Sequence, residues 1–215
     1  MNDIQKPDFD QSFQDKLQQL LEWRRDVRHF KTDALPDGLL DHLLDLTCLS
    51  PSVGNSQPWR FVSVDDPERR AAIRSNFETA NTDALQGYDG EKAQLYAKLK
   101  LSGMDRAPVQ MAVFCHEETS QGHGLGHKTM PEMLRYSSVL AVHTLWLAAR
   151  AHGVGLGWVS IIDPEKAAAT LEVPEDWRLV AYLCIGYPEE EQVTPELVQL
   201  GWQDRQDDCR KVLRR

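Results

Sequence analysis

This sequence predicts one domain of mixed α and β structure, built around a largely buried sheet. Three observations carry that expectation. The 215 residues suffice for one sizeable core and are too few for two comfortable ones. Four short apolar runs, at 59–64, 109–115, 155–161 and 178–187, have the length and β-rich composition of strands. Between them lie segments with apolar residues at helical spacing, uninterrupted by repeats or a linker.

In chain order, Phe13, Leu17, Leu20 and Leu21 predict a helix over 10–23. Pro36 opens a second, over 36–49, with Leu40, Leu43 and Leu44 on one face; it stops before Ser50-Pro51, because proline disfavours helix at the residue preceding it. WRFVSV at 59–64 reads as a strand, and the polar stretch 66–104 as helix in two pieces. VQMAVFC at 109–115 is a buried strand, followed by a glycine- and histidine-rich loop over 116–130. Pro131 then opens the strongest helix, to residue 151, with Tyr136, Val139, Leu140, His143 and Leu147 as its apolar face and Gly153 past its end. GLGWVSI at 155–161 is the next strand, Asp163-Pro164 starts a short helix, and RLVAYLCIGY at 178–187 is the last strand. The charged segment from 188 onward receives no firm structure.

The apolar share of 41% is ordinary for a globular chain. A net charge of −9 argues against a nucleic-acid surface, which tracks phosphates with basic residues. The first 20 residues hold no apolar signal core, and no run of 18 apolar residues occurs, so neither export nor a membrane span is expected. Cys48, Cys115, Cys184 and Cys209 form no CxxC motif; three sit in apolar runs, which reads as reduced thiols in a cytoplasmic protein.

Four stretches carry chemistry. In RRDVRHF (24–30) the planar fork of arginine suits a phosphate, yet an acid stands among three arginines. On a helix Asp26 would point away from Arg24; on an extended chain Arg24, Asp26 and Arg28 share a face, and the residues allow both. LSPSVGNSQPW (49–59) is a loop whose Ser52, Asn55 and Gln57 donate and accept without charge, as hydroxyls or a heterocycle edge require. AHGVGLGWVSI (151–161) has its glycines before a strand rather than after one, which excludes a dinucleotide fingerprint. It reads as a strand edge stripped of side chains so that a flat ligand can lie on the backbone, with Ser160 on the same face as Trp158. His116, His123 and His127 have no metal-ligand spacing and read as solvated loop histidines.

Taken in order, RRDVR (24–28), PSVGNSQPWRF (51–61), TMPEM (129–133), Tyr136-Ser137, LWLAARAHGVGLGWVSI (145–161) and VAYLCIGYP (180–188) resemble the FMN-dependent nitroreductase superfamily, over about residues 15–190. Within it the pattern is similar to the 5,6-dimethylbenzimidazole synthases; ordinary nitroreductases commonly have Ser where Asp26 stands and lack the WVSI ending with Ser160. The resemblance implies a single α+β domain over 1–215 with a central, mostly antiparallel sheet flanked by helices. Residues 1–14 and 190–215 would be arm-like termini of a homodimer with the flavin between its subunits. It implies that reduced FMN is the substrate. Dioxygen attacks it, and the products are 5,6-dimethylbenzimidazole, the lower ligand of vitamin B12, and erythrose 4-phosphate. A separate flavin reductase would supply the reduced FMN. Asp26 and Ser160 would be catalytic, Asp26 starting as a carboxylate favoured by its arginines and moving a proton. The flavin-contacting set would be Arg24, Arg25, Asp26, Val27, Arg28, Ser52, Gln57, Leu101, Gly157 and Ser160, with Leu101 in a segment covering the ring. A conventional NAD(P)H-dependent FMN nitroreductase or flavin reductase is the alternative, and it leaves Asp26 and Ser160 without special roles.

Overall fold

Strands β1 (Trp59–Ser63), β2 (Val109–His116), β3 (Gly155–Val159) and β4 (Trp177–Gly186) pair antiparallel in the order β1-β2-β4-β3. The structure, a computed structural model, describes residues 6–215, so positions 1–5 of the arm expected over 1–14 lie outside the described residues. The register sets Trp59 against Cys115, Met111 against Leu183 and Gly157 against Cys184, with a shift between Val113 and Phe114. Helices cover both faces, which is why the strands read as continuous apolar runs rather than alternating ones.

Helices α1 (Gln11–Trp23), α2 (Leu39–Thr47), α3 (Pro67–Leu85), α4 (Gly90–Tyr96), α5 (Met133–Ala151) and α6 (Pro164–Leu171) follow the predicted pattern, with polar stretch 66–104 splitting into α3 and α4, while the short α7 (Glu196–Gln199) falls in the segment to which the sequence assigns no firm structure. Asp10, Asp66 and Asp163 each accept a hydrogen bond from an amide of the helix they precede, supplying a first-turn donor with its missing acceptor. Helix α2 begins at Leu39 rather than Pro36, because Gly38 turns the chain left-handed just before it. Leu43, Val142, Leu145 and Ala149 of α2 and α5 pack on Met111, Val113, Leu156, Leu183 and Ile185 on one side of the sheet. Ile73, Ala167, Leu171 and Phe30 pack on Ala112, Phe114, Val159 and Tyr182 on the other. Full burial of a side chain such as Phe30 contributes ~1.5–3 kcal/mol.

One helical face is corrected. The sequence assigns Tyr136, Val139, Leu140, His143 and Leu147 to the core side of α5. The buried side is instead Leu134, Ser137, Ser138, Ala141, Val142, Leu145 and Ala149, and Tyr136, Val139 and Leu140 remain 48%, 38% and 43% exposed. Two buried serines misled the reading; their hydroxyls donate to the carbonyls of Met133 and Leu134, which removes the penalty of burying them. Cys115 and Cys184 are buried, whereas Cys48, expected in an apolar interior, is exposed at the end of α2; all four are free thiols.

Residues 188–203, which the sequence leaves without structure, lie against their own chain. The Glu189 amide donates to the His29 carbonyl, Glu189 pairs with Arg106, and Glu191 forms a two-pronged pair with Arg150 at 2.8 Å on each side.

Candidate active site

Helix α1 ends at Trp23, and the arginine segment leaves it extended. The Val27 amide donates to the Leu156 carbonyl at 3.1 Å, and Asp26 bridges to Leu156 in parallel, so residues 25–27 lie along the outer edge of β3. The glycines of β3 make room for them. A Cβ on Gly157 would stand 2.0 Å from the Val27 carbonyl oxygen, and one on Gly155 would press on the Val27 side chain. The expectation that these glycines bare the strand for a flat ligand is therefore corrected: the edge accepts this chain's own backbone.

Asp26 completes that edge. Its Oδ1 accepts from the Trp158 amide at 2.9 Å, and its Oδ2 accepts from Nε and Nη2 of Arg28, both at 2.9 Å. Burial pushes the Asp26 carboxyl above the ordinary aspartate value, against the pull of Arg28 and the Trp158 amide; Glu196 adds to the rise. Arg28 does favour the carboxylate, as expected, but desolvation of the anion outweighs that attraction, so the net shift is upward.

The arginines diverge. The Arg24 guanidinium lies 4.8 Å from the centre of the Trp146 ring, Arg25 donates to the Val193 carbonyl and to that of Arg24, and Arg28 holds Asp26. The Nη1 of Arg28 is buried without a hydrogen-bond partner, the Glu196 carboxylate standing 3.7 Å off. A cavity of about 340 Å³ opens here, lined by Arg25, Asp26, Val27 and Arg28 on one wall and by Thr194 and Glu196 on the other. A cavity of this size, lined by Arg25 and Arg28 with a guanidinium donor unspent just behind its wall, suits an anionic ligand rich in acceptors, such as the phosphate end of a flavin nucleotide.

The segment around Leu101, expected to cover the ring, passes beside the end of the arginine segment, where Gly103 lies next to the Arg28 carbonyl. Gly103 is packed so closely on Phe30 that a Cβ would meet the ring at 2.3 Å, and burial pushes the Cys184 thiol up to about 12. The Gln110 amide holds the Met104 carbonyl at 2.9 Å, and the Tyr182 hydroxyl donates to Gln110 at 2.8 Å. Leu101, two residues before Gly103, is half-buried. Ser160 follows β3 and is exposed, two residues beyond the amide that Asp26 holds.

Ser52 and Gln57 stand elsewhere. The Gln57 amide donates to the Ser52 hydroxyl at 3.0 Å, and the Val53 amide donates to Ser137 of α5. Trp146, which carries Arg24 and donates to the Arg25 carbonyl, is nine residues further along that helix, hence about half a turn out of phase and ~14 Å away along the axis. Within one chain the two groups flank opposite sides of α5. The histidine-rich loop backs the Ser52–Gln57 loop: Gln121 donates to the Asn55 carbonyl and the Gln57 side chain, and Gly54 and Gly122 touch backbone to backbone. His116 is no solvated loop residue; it ends β2, pairs with Asp176 at 2.7 Å and meets Arg60 at 3.0 Å.

The description "Nitroreductase family" matches residues 21–187, which includes every strand and the arginine segment. The chain belongs to the nitroreductase family. Two curated relatives in it are named 5,6-dimethylbenzimidazole synthase. One, from Rhodospirillum rubrum, is 56% identical over 199 residues, 93% of this chain and 94% of that one. Another, from Rhodobacter capsulatus, is 48% identical over 91% of this chain and 95% of its own length. Among solved structures, an oxidised iodotyrosine deiodinase bound to FMN and 3-iodo-L-tyrosine shares the fold at 24% identity, with a TM-score of 0.70 over 92% of this chain and 97% of that one. A BluB-like flavoprotein from Clostridium difficile 630 shares it at 21% identity and a TM-score of 0.65, over 84% of this chain and 93% of its own. Among the described residues, no helix is long and apolar enough to cross a membrane.

Proposed function

We propose that this nitroreductase-family chain is a 5,6-dimethylbenzimidazole synthase that consumes reduced FMN and dioxygen. The observation that carries the reading is Asp26, an acid set into the arginine segment and aimed at the edge of β3, in a chain 56% identical to a synthase of that name. Reduced FMN supplies the electrons that activate dioxygen and the ring atoms that leave as 5,6-dimethylbenzimidazole, with erythrose 4-phosphate from its side chain.

Arg28, with its unspent Nη1, and Arg25, once freed from the Val193 carbonyl, hold the phosphate end. Asp26 moves a proton at Oδ1 or Oδ2; a carboxyl raised by burial both accepts and returns a proton more readily near neutrality than an exposed one. Gly157 and Val27 form the floor beneath it, Leu101 keeps water out, and Ser160 orients the ring or the oxygen that approaches it. Ser52 and Gln57 come from a second copy. The exposed apolar faces of α5 (Tyr136, Val139, Leu140) and α1 (Phe13, Leu17, Leu21) suit a homodimer interface that would carry one chain's Ser52–Gln57 loop toward the other's arginines. A separate flavin reductase supplies reduced FMN, and the four free thiols fit a cytoplasmic setting.

Asp26→Asn tests the reading. The variant binds FMN within a few-fold of the parent and yields little 5,6-dimethylbenzimidazole; a normal yield would remove Asp26 from the chemistry.

A further inference from the structure

The segment 188–203 does more than lie on the surface. It touches the arginine cavity and helix α4 at once. At one end, Glu196 meets His29 Nε2 at 3.1 Å and stands 3.7 Å from the orphaned Nη1 of Arg28, while Arg25 donates to the Val193 carbonyl. Six residues on, Trp202 docks on α4. Its ring lies edge-on to Tyr88 (5.5 Å) and Tyr96 (6.0 Å), which stack on each other at 5.0 Å. Lys92 sits 4.3 Å above the indole and donates to the Trp202 carbonyl at 2.9 Å.

The strap is built to make that turn. The left-handed backbone of Gly201 (φ +71°) reverses the chain, and the Trp202 amide donates back to the Leu197 carbonyl at 2.8 Å. Tyr96 is buried and donates to Asn81 of α3 at 2.8 Å, so Trp202 presses α4 onto the body of the domain. Helix α4 ends at Tyr96, five residues before Leu101. From Leu101 the chain runs to Gly103 and Met104, both anchored on Phe30 and Gln110. The covering segment thus hangs between two fixed points, and only the α4 point depends on the strap.

We propose that Trp202 is a positioning residue: through α4 it holds the Leu101 segment closed, and through Glu196 it ties that closure to the arginine cavity. The inference rests on the proposed reaction, since it assigns the strap the task of keeping oxygen-derived electrons on the flavin ring. With the segment loosened, reduced FMN gives its two electrons and two protons to dioxygen, and oxidised FMN and hydrogen peroxide leave. With it closed, the ring is cut.

Trp202→Ala and Trp202→Phe, in the full chain, test this by two readouts. Amide hydrogen exchange without flavin or oxygen reads the latch alone. Residues 88–103 of Trp202→Ala exchange roughly tenfold faster or more, while β2 and β4 keep their protection, because two aromatic contacts and one cation–π contact are gone. Trp202→Phe restores most of the protection. In single turnovers with reduced FMN bound to saturation, the alanine variant makes about fivefold less 5,6-dimethylbenzimidazole per dioxygen consumed, the difference appearing as peroxide and intact FMN. Unchanged exchange over 88–103 overturns the latch. Faster exchange with an unchanged product-to-peroxide ratio overturns its link to the reaction. If the unaltered protein makes no 5,6-dimethylbenzimidazole, the proposed reaction falls, and exchange decides the latch by itself.

Discussion

Alanine at position 157 should dislodge the arginine segment. The added Cβ would stand 2.0 Å from the Val27 carbonyl oxygen, where an ordinary carbon–oxygen contact is ~3.3 Å or more, so the segment has to retreat by more than about 1 Å. A retreat of that size breaks the Val27–Leu156 hydrogen bond, now 3.1 Å, and the Trp158–Asp26 bond, now 2.9 Å. A neutral bond contributes ~0.5–1.5 kcal/mol and one to a charged group ~1.5–3 kcal/mol, which together give roughly 2–4.5 kcal/mol. Binding that needs the segment in place should weaken by roughly 30-fold or more. The assay is FMN titration by flavin fluorescence, with thermal unfolding to confirm a folded chain. Gly155→Ala is the control, because its Cβ meets the Val27 side chain, which can rotate, rather than backbone. FMN affinity of Gly157→Ala within about threefold of the parent would refute the reasoning, since that estimate leaves no room for so small a change.

Three further outcomes follow from the same geometry. Burial raises the Asp26 carboxyl, so its link to stability favours acid pH and is lost as pH rises through its folded pKa; product formation, which needs the carboxylate, falls along an acid limb above the ordinary value of 3.8, and stopped-flow rates against pH show no such limb in Asp26→Asn. Tyr182→Phe strands the buried Gln110 carbonyl oxygen and lowers stability by ~1–3 kcal/mol in denaturant unfolding; a change below ~0.5 kcal/mol would mean that the pair is not buried as described. Leu140→Asp, on the exposed face of α5, sediments as single chains where the parent sediments as pairs; an unchanged pair would move the interface elsewhere.

Much of the fold was legible because local signals agreed with one another. Asp163-Pro164 announced α6, and the apolar runs gave all four strands to within about two residues. The α5 face was not legible, since its exposed side carries Tyr136, Val139 and Leu140 while its buried side spends two positions on serines whose partners are backbone carbonyls. A helix with apolar residues on more than one face does not say by spacing alone which face is the core. At the site, the residue types of the arginine segment were readable and its conformation was not, because the edge it occupies is made by glycines 130 residues away. The Asp26 direction was missed for a related reason: sequence shows the neighbouring arginines but not the burial that outweighs them. Trp202 went unnoticed within a polar tail, although a Gly-Trp pair in such a segment was the available signal for a docked turn.

The central claim is that this chain destroys its flavin rather than recycling it. The most direct measurement is one turnover with anaerobically reduced FMN and excess protein, followed by admission of oxygen and mass spectrometry of the products. The account predicts 5,6-dimethylbenzimidazole in proportion to the FMN lost. Quantitative return of oxidised FMN, with no 5,6-dimethylbenzimidazole, would contradict it and leave an ordinary flavin oxidoreductase.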